Sequence, residues 1–310
     1  MPAVVEELKE KKLLEESDGA MVVNLEDSKM PPCLILRRDG GSLYPTRDIA
    51  AALYRKKEYN FDLCLYVTAF DQNLHFAQWF KVVEKMSYSW ASNLVHVPFG
   101  LVTLESGKLS TRAGNVVLME DLLNESIQKT ADIIREKNPS LENKDEVAAQ
   151  VGIGAVIFHD LYNNRIKDVV FSWERMLNFE GETGPYVQYA HARASSVLAK
   201  MPVQAAFGQN KGTDNAPSFN SLTDDASFET IKALSEFPDK IIAAVSKNEP
   251  YIVARYLVAL AQSFNKFYHE NPVLTSVGPT REARLTLVHC VKQVLATGLN
   301  LLGMEAPEKM

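Results

Sequence analysis

The sequence has few of the features that mark secreted, membrane-spanning or metal-dependent proteins. Its 310 residues include three cysteines, which are far apart and lack the spacing of metal ligands. No apolar run approaches the roughly 18 residues that a membrane-spanning helix needs. The first ten residues are acidic and amphipathic, unlike a secretory signal. We therefore expect a cytoplasmic protein with buried, reduced thiols, no membrane association and no protein-bound metal.

The sequence is also short of positive charge, with 33 Lys and Arg against 39 Asp and Glu and a formal net charge of −6. This balance argues against a protein that coats nucleic acid without selectivity. It leaves open an RNA-binding enzyme with local basic patches on an acidic body. A hydrophobic content of 46% is typical of a globular protein, and 310 residues suffice for two domains of roughly 100–200 residues each.

Strand and helix patterns alternate in the first hundred residues. The predicted elements are, in order, a charged helix at 4–15, a β pair at 20–25 and 33–37, a helix at 48–56, a strand at 62–69, a helix at 74–86 and a strand at 94–97. The short apolar run at 62–69 is typical of a buried parallel strand. This alternation predicts an α/β layer.

The pattern becomes helical after residue 115. Amphipathic helices are predicted at 121–136, 145–162, 184–200, 228–246, 250–270 and 281–302. The segment 203–226 is rich in Gly, Asn, Asp, Ser and Thr and predicts a long mobile loop between helices. The fold class predicted from the whole sequence is α/β followed by all-α.

A short basic loop at 105–115 is the first candidate for chemistry. Two glycines allow a tightly turning backbone, and between them lie the cations Lys108 and Arg112 with the hydroxyl of Ser110. Such groups can neutralise the charge of a polyphosphate as it shifts during a transfer reaction. From the spacing alone, a solvated surface turn is an equally good interpretation.

A second candidate lies at the start of a predicted helix. Tyr44 and Asp48 are four residues apart and share a face if the helix includes both. A carboxylate can bind a guanidinium bidentately, and a phenol ring can lie against its plane. The residues alone favour a simpler interpretation, with Asp48 in the first helical turn and Tyr44 in the core.

Two further groups of polar and aromatic residues stand out. Gln72 and His75 directly follow the predicted strand at 62–69, at the edge where α/β sheets bind ligands. Tyr186, Tyr189 and Arg193 fall on one helical face behind a possible cap at Thr183. This stripe suits unstacked RNA bases, although ordinary core packing is the usual reason for such a pattern.

Taken together, these segments closely resemble arginyl-tRNA synthetases. The resemblance is carried by the motifs above, by the stretch at 96–102, by residues 115–117 after the basic loop, and by the segments around Tyr268 and Met310. It covers nearly the whole chain from about Gly19, except the segment 203–226. The basic loop corresponds to the Lys-Met-Ser-Lys-Ser element of class I synthetases, but Thr111 replaces its second lysine and Ala113 replaces a further lysine that many members carry.

The resemblance implies roles for specific residues. The catalytic residues are expected to be Lys108, Ser110 and Arg112. ATP is expected at His96, Phe99, Gly100, Lys108 and Arg112. Arginine is expected at Tyr44, Asp48, Gln72 and His75, with His75 holding Asp48 or Tyr44 in place. The arginine tRNA is expected at Tyr186, Tyr189, Arg193, Tyr268 and Met310.

The resemblance also implies a domain arrangement and an activity. We expect the second half of a Rossmann-type parallel sheet at 1–118, a helical stem at 119–182 and an α-helical anticodon-binding domain at 183–310. The intact enzyme would be an ATP-dependent arginine–tRNA ligase, with magnesium as the counter-ion of its substrate ATP. Its partners would be arginine, ATP and the arginine tRNA, and we expect a monomer.

One element of a class I synthetase is missing from this sequence. No His-Ile-Gly-His motif occurs in the 310 residues, and the family's N-terminal tRNA-elbow domain is also not found. We therefore expect the chain alone to be an inactive fragment of the ligase. The alternative is a non-catalytic tRNA anticodon-binding module.

Overall fold

The computed structural model describes residues 1–104, 107–108, 118–200 and 219–310, and only the backbone of residues 104, 107, 108 and 219. The chain divides into two compact units, Met1–Leu101 and Val102–Met310. The first unit mixes helices and strands, whereas the second is mainly helical. The predicted fold class, α/β followed by all-α, is confirmed.

The first unit contains a small antiparallel sheet and a parallel strand pair, with helices packed on them. Its elements are α1 (Pro2–Glu10), β1 (Leu14–Ser17), β2 (Ala20–Val23), β3 (Cys33–Leu36), α2 (Tyr44–Tyr59), β4 (Cys64–Ala69), α3 (Asn73–Lys85) and β5 (Leu94–Phe99). Strands β1, β2 and β3 are antiparallel neighbours, and β4 is parallel to β5. The predicted β pair is therefore confirmed, with β1 as an additional strand.

The first helix is shorter than the prediction of 4–15. It ends at Glu10, and Lys12 then adopts a positive φ of 56°. Leu14–Ser17 forms a strand on β2 instead of continuing the helix. Charged residues favour a helix locally, but the pairing with β2 overrides that preference.

The parallel strand β4 is half-buried on one face and exposed on the other, unlike the buried strand predicted at 62–69. Tyr66 packs on the aromatic core beside Phe76 and Trp79. Leu65 and Val67, on the opposite face, are 43% and 62% exposed. Alternate residues of a strand point to opposite faces, so the apolar run meets protein on one side only in the described part of this unit.

The second unit begins with short strands and continues as helices. Its elements are β6 (Val102–Leu104), β7 (Gly107–Lys108), α4 (Met119–Lys137), α5 (Lys144–Leu161), β8 (Val169–Phe171), α6 (Trp173–Met176), α7 (Gly184–Lys200), α8 (Asp225–Ser235), α9 (Phe237–Lys247), α10 (Tyr251–Glu270) and α11 (Gly278–Leu301). Strand β6 is antiparallel to β7 and parallel to β8. The parallel strands of the described chain thus occur as two separate pairs.

The predicted helix at 228–246 is two helices. α8 ends before Glu236 and α9 has Pro238 in its first turn, because proline lacks an amide hydrogen and fits only the start of a helix. The Asp224 carboxylate caps α8 by accepting a 2.9 Å hydrogen bond from the Ser227 amide. α8 therefore begins inside the predicted loop at 203–226, of which 203–218 lies outside the described residues.

The core of the helical unit is built around α10. Leu257, Leu260, Phe264 and Phe267 are fully buried along this helix. α10 packs against α7, α8, α9 and α11 and is therefore the central helix of this unit. Across the described residues, no helix is long and apolar enough to cross a bilayer.

Candidate functional site

The helix α2 presents its first residue, Tyr44, to solvent. It begins at Tyr44, with Pro45 next, where a missing amide hydrogen costs nothing. Tyr44 and Asp48 are thus in one helix on one face. Tyr44 is 73% exposed and is not a core residue, and Asp48 lies beyond the first turn. Neither part of the simpler interpretation fits this arrangement.

Asp48 is held by a histidine from the next helix. His75 Nε2 of α3 lies 2.6 Å from Asp48 Oδ2, and both side chains are partly exposed. In the described part of the chain, Asp48 Oδ1 has no hydrogen-bond partner. The carboxylate is therefore oriented on one side and open to a cationic ligand on the other. The expected contact between His75 and Asp48 is present.

The carboxyl ends of the parallel strands lie beside α3. Thr68 Oγ1 is 2.8 Å from His96 Nε2, and the His96 ring stacks on Phe76 with centroids 4.3 Å apart and planes at 13°. The His75 ring meets the same Phe76 edge-on at 5.3 Å. Phe76 therefore spaces the two histidines, a role that sequence reasoning missed because Phe76 fits the apolar face of α3.

Two of the other residues expected at this edge, Gln72 and Phe99, are exposed. Gln72 precedes α3, and its side chain makes no protein hydrogen bond within the described residues. Phe99 ends β5 and is 41% exposed, and Gly100 follows it. This edge thus exposes the amide of Gln72 and the aromatic ring of Phe99.

The basic loop is described in part. The backbone of Lys108 pairs with Thr103 in the β6–β7 hairpin. Ser110 and Arg112 lie outside the described residues.

The stripe on α7 faces partly outward. The Tyr186 amide donates a 3.2 Å hydrogen bond to Thr183 Oγ1, so Thr183 provides the expected cap. Tyr186 packs against the helical core, whereas Tyr189 is 40% exposed. The Arg193 guanidinium lies 4.8 Å from the centroid of the Tyr189 ring and 5.7 Å from that of Tyr268 in α10.

Met310 lies on the same surface as the stripe on α7. The Asn138 side chain donates a 3.0 Å hydrogen bond to the Met310 carbonyl, and Met310 packs on the core of α4 and α5. A concave region of about 680 Å³ is lined by Tyr186, Tyr189, Arg193 and Met310 together with residues of α4, α10 and the segment 178–180. Four of the five residues expected to contact RNA therefore line one cavity.

The chain end is held against α7 by two buried polar residues that sequence reasoning missed. Gln188 Nε2 donates to the carbonyls of Gln150 at 3.1 Å and Glu305 at 2.8 Å. His191 Nδ1 lies 2.9 Å from the Pro307 carbonyl. Burial lowers the pKa of His191 below its ordinary value of 6.5, so that the neutral ring is the stable form. Within the described residues, no group of side chains is suited to holding a metal ion.

Comparisons with known proteins identify the family of both parts of the chain. Residues 1–173 match the family described as tRNA synthetases class I (R), catalytic domain, and residues 187–310 match the DALR anticodon binding domain. The arginine–tRNA ligases of Alkaliphilus metalliredigens and Halothermothrix orenii are 53% and 54% identical over 310 residues. Each match covers all of this chain but only 53% of the relative. The chain therefore spans about half the length of the curated relatives it matches.

Solved structures give the same result. The arginyl-tRNA synthetase of Thermus thermophilus is 27% identical with a TM-score of 0.85, and the match covers all of this chain and 58% of that one. The Plasmodium falciparum arginyl-tRNA synthetase is 26% identical with a TM-score of 0.83, covering all of this chain and 52% of that one. This chain belongs to the arginyl-tRNA synthetase family, with a class I catalytic domain followed by a DALR anticodon-binding domain.

Proposed function

We propose that the chain carries the arginine-recognising and anticodon-reading parts of an arginine–tRNA ligase. The observation that carries this proposal is the 2.6 Å contact between His75 and Asp48 beside the exposed Tyr44. In the intact enzyme, a carboxylate oxygen of arginine would attack the α-phosphorus of ATP and pyrophosphate would leave. The arginyl group would then pass to a ribose hydroxyl of the terminal adenosine of the arginine tRNA, with release of AMP.

The arginine site follows from the chemistry of a guanidinium. The ligand would donate hydrogen bonds to the open oxygen of Asp48, a charge-assisted contact that excludes neutral side chains. Tyr44 would lie against the guanidinium plane. The Arg47 guanidinium already lies 5.8 Å from the centroid of the Tyr44 ring, so this ring accepts a cation. Gln72 would hydrogen-bond the ligand from the end of β4.

The ATP site rests on the family resemblance. His96, Phe99 and Gly100 would receive the adenosine part at the end of β5. Lys108, Ser110 and Arg112 would stabilise the charge that develops on the phosphates as pyrophosphate leaves. Magnesium would accompany ATP as its counter-ion.

We further propose that the 310 residues alone do not aminoacylate tRNA. The sequence has no His-Ile-Gly-His motif, and the loop at 105–115 would need that element as its partner in stabilising the phosphates. The test is arginine-dependent charging of tRNA by the purified chain against a reaction without protein. Charging above that background would contradict this part of the proposal.

The helical part would bind the anticodon arm of the tRNA. Tyr186, Tyr189, Arg193, Tyr268 and Met310 would contact unstacked bases, which stack on aromatic rings and guanidinium planes. The corresponding domains would be the half-sheet at 1–118, the stem at 119–182 and the anticodon-binding domain at 183–310. A cytoplasmic monomer remains our expectation.

A non-catalytic tRNA-binding module is the alternative, favoured by the lack of a His-Ile-Gly-His motif. Arginine binding discriminates between the two functions. Saturation-transfer NMR of the chain should detect arginine and not citrulline, which has the same length without the positive charge. An equal response to both compounds would favour the module.

A further inference from the structure

His191 of α7 is a buried histidine with one ring nitrogen that no protein group contacts. The residue is 1% exposed, and its Nδ1 lies 2.9 Å from the Pro307 carbonyl. A carbonyl oxygen can only accept a hydrogen bond, so Nδ1 of the neutral ring carries the proton and Nε2 is an acceptor. Among the described atoms, Nε2 has no hydrogen-bond partner. Buried polar atoms are rarely left unpaired, so Nε2 is a candidate contact for a ligand.

His191 lines a cavity of about 500 Å³ between α7, α11 and the chain end. α11 contributes a stripe of residues that recur every three or four positions: His289, Gln293, Ala296 and Asn300. At a rise of about 1.5 Å per residue, this stripe is about 16 Å long. The lining is therefore long in one direction, as expected for an extended, chain-like ligand.

The chain end supplies the negative charge of this cavity. Glu305 and Glu308 both line it, and Lys292 of α11 adds one positive charge. Lys292 Nζ lies 2.7 Å from a carboxylate oxygen of Glu308, so these two charges offset each other. The Glu305 carboxylate accepts a 2.8 Å hydrogen bond from the neutral Gln150 side chain and forms no ion pair with any described residue. Glu305 therefore leaves the cavity with an uncompensated negative charge.

These groups favour a ligand that donates hydrogen bonds and carries positive charge. Nε2 of the neutral His191 ring and the carboxylate of Glu305 can only accept hydrogen bonds. An anion would be repelled by Glu305, and Lys292 is already paired. A metal ion is not favoured, since no described cluster of side chains is suited to holding one. An alkylammonium group supplies both three N–H donors and a positive charge.

We propose that this cavity binds a polyamine, a flexible chain of methylenes with ammonium groups at intervals. One ammonium group donates to His191 Nε2 and another to Glu305, while the methylenes lie on Ala296 and Ala306. Long alkyl chains cover apolar surface in this way while their charged groups keep polar contacts. None of these residues is assigned a ligand by the proposed function, so the inference stands apart from it.

Binding involves a small displacement of the chain end. Nε2 of His191 is buried, so the ligand reaches it only if residues 305–308 or the ring shift slightly. α11 ends at Leu301, and the chain end beyond it is held by side-chain contacts, such as that of Gln188 with the Glu305 carbonyl. A segment held in this way can move without disturbing a helix.

The first experiment titrates the 310-residue chain with spermidine at about pH 8, where amines are charged and histidines are largely neutral. Long-range ¹H–¹⁵N NMR follows the histidine rings. The Nε2 resonance of His191 should move in a saturable way, whereas the ring of His159, outside the cavity, should not respond. Triethylene glycol is the matched ligand, because it is a neutral chain with the same number of non-hydrogen atoms. No saturable change with spermidine, or an equal change with the glycol, would overturn the proposal.

A second experiment tests the acceptor at the chain end. Glu305→Gln removes the charge but can still accept the hydrogen bond from Gln150, and spermidine affinity measured by calorimetry should fall about 5- to 10-fold. Glu282→Gln makes the same change at an exposed position of α11 outside the cavity and should bind as the wild type does. No loss in the Glu305 variant, or equal losses in both, would overturn the proposal, the latter showing unspecific attraction to an acidic protein.

A third experiment separates the two nitrogens of His191. His191→Asn keeps a donor near Pro307 but has no atom at the Nε2 position, and spermidine affinity should fall about 5-fold or more. His191→Gln places a polar atom near Nε2 and should retain part of the affinity, although it loses the contact with Pro307. A purely structural role would give the opposite order, and that result would overturn the assignment of Nε2. If His191→Asn does not fold, the exposed Glu305 still provides the test.

Discussion

Asp48 of α2 and His75 of α3, 27 positions apart in the chain, meet with 2.6 Å between Oδ2 and Nε2. The contact orients one oxygen of the carboxylate and leaves the other without a protein partner in the described residues. A carboxylate prepared in this way is suited to a guanidinium. The geometry gives the candidate arginine site its first testable feature.

Removing the Asp48 charge should strongly weaken the binding of arginine. We expect Asp48→Asn to weaken arginine binding by about 2–5 kcal/mol, because the guanidinium loses its charged partner. Equilibrium binding by calorimetry or saturation-transfer NMR on the chain measures this effect. Asp62→Asn changes the same charge at an exposed position before β4 and should bind as the wild type does. Equal losses in both variants would remove Asp48 from the pocket.

His75 should act through Asp48 rather than by direct contact. His75→Leu removes the hydrogen bond to the carboxylate and should weaken arginine binding by about 1–2 kcal/mol. His75→Gln retains a donor and should recover part of that loss. The same binding assay provides the measurement, with unfolding curves to show that α3 remains packed. A glutamine variant no better than the leucine variant would contradict the orienting role.

The two buried hydrogen bonds of Gln188 should stabilise the helical unit. Gln188→Leu leaves the carbonyls of Gln150 and Glu305 without this donor, and we expect a loss of about 1–3 kcal/mol in the free energy of unfolding. Urea denaturation of the chain provides the measurement. Gln293→Leu, at an exposed position on α11, serves as the control and should stay within about 0.5 kcal/mol of wild type. A loss of stability no greater than that of the control would show that Gln188 does not hold the chain end against α7.

His191 should make the helical unit less stable in mild acid. Its pKa is lowered, chiefly by burial, and its Nε2 has no hydrogen-bond partner among the described atoms. Below the ordinary value of 6.5 the unfolded chain gains a proton that the folded chain resists, so stability falls as the pH decreases through this range. His159, whose pKa is also lowered by burial, contributes in the same direction.

The measurement for His191 is the free energy of unfolding between pH 7.5 and 5.5. His191→Gln should show a shallower decline with falling pH than the wild-type chain. His289 is exposed and lines the same cavity as His191. The free energy of unfolding of His289→Gln should decline with falling pH as that of the wild type does. An unchanged slope in the His191 variant would contradict the assignment.

The sequence predicts most elements whose signals are local. The helix at 184–200 matches α7 because the cap at Thr183 and the apolar period lie within one segment. The parallel pair β4–β5 was likewise predictable from short apolar runs separated by a helix. Strand β1 was missed because only its pairing with β2 keeps Leu14–Ser17 out of a helix.

In the candidate sites, contacts within one helix are predictable from local sequence patterns, whereas contacts between helices are not. The sequence places Tyr186 with Arg193 because both lie within one predicted helix. It places Tyr44 with Asp48 only if the helix predicted at 48–56 begins earlier, and the structure shows that α2 begins at Tyr44. The contacts of Asn265 with Arg193 and Tyr186 join positions 72 and 79 residues apart, and no local pattern indicates them. Such contacts depend on how α7 and α10 pack, which only the structure reveals.

The most direct test of the account is selective binding of tRNA by the 310-residue chain. A filter-binding titration compares the arginine tRNA transcript with the same transcript carrying a different anticodon loop, at one fixed salt concentration. We predict that the arginine tRNA binds roughly 5- to 150-fold more tightly, the equivalent of about 1–3 kcal/mol for a stacked base. Equal affinity for the two transcripts would contradict the central claim that this chain reads the anticodon.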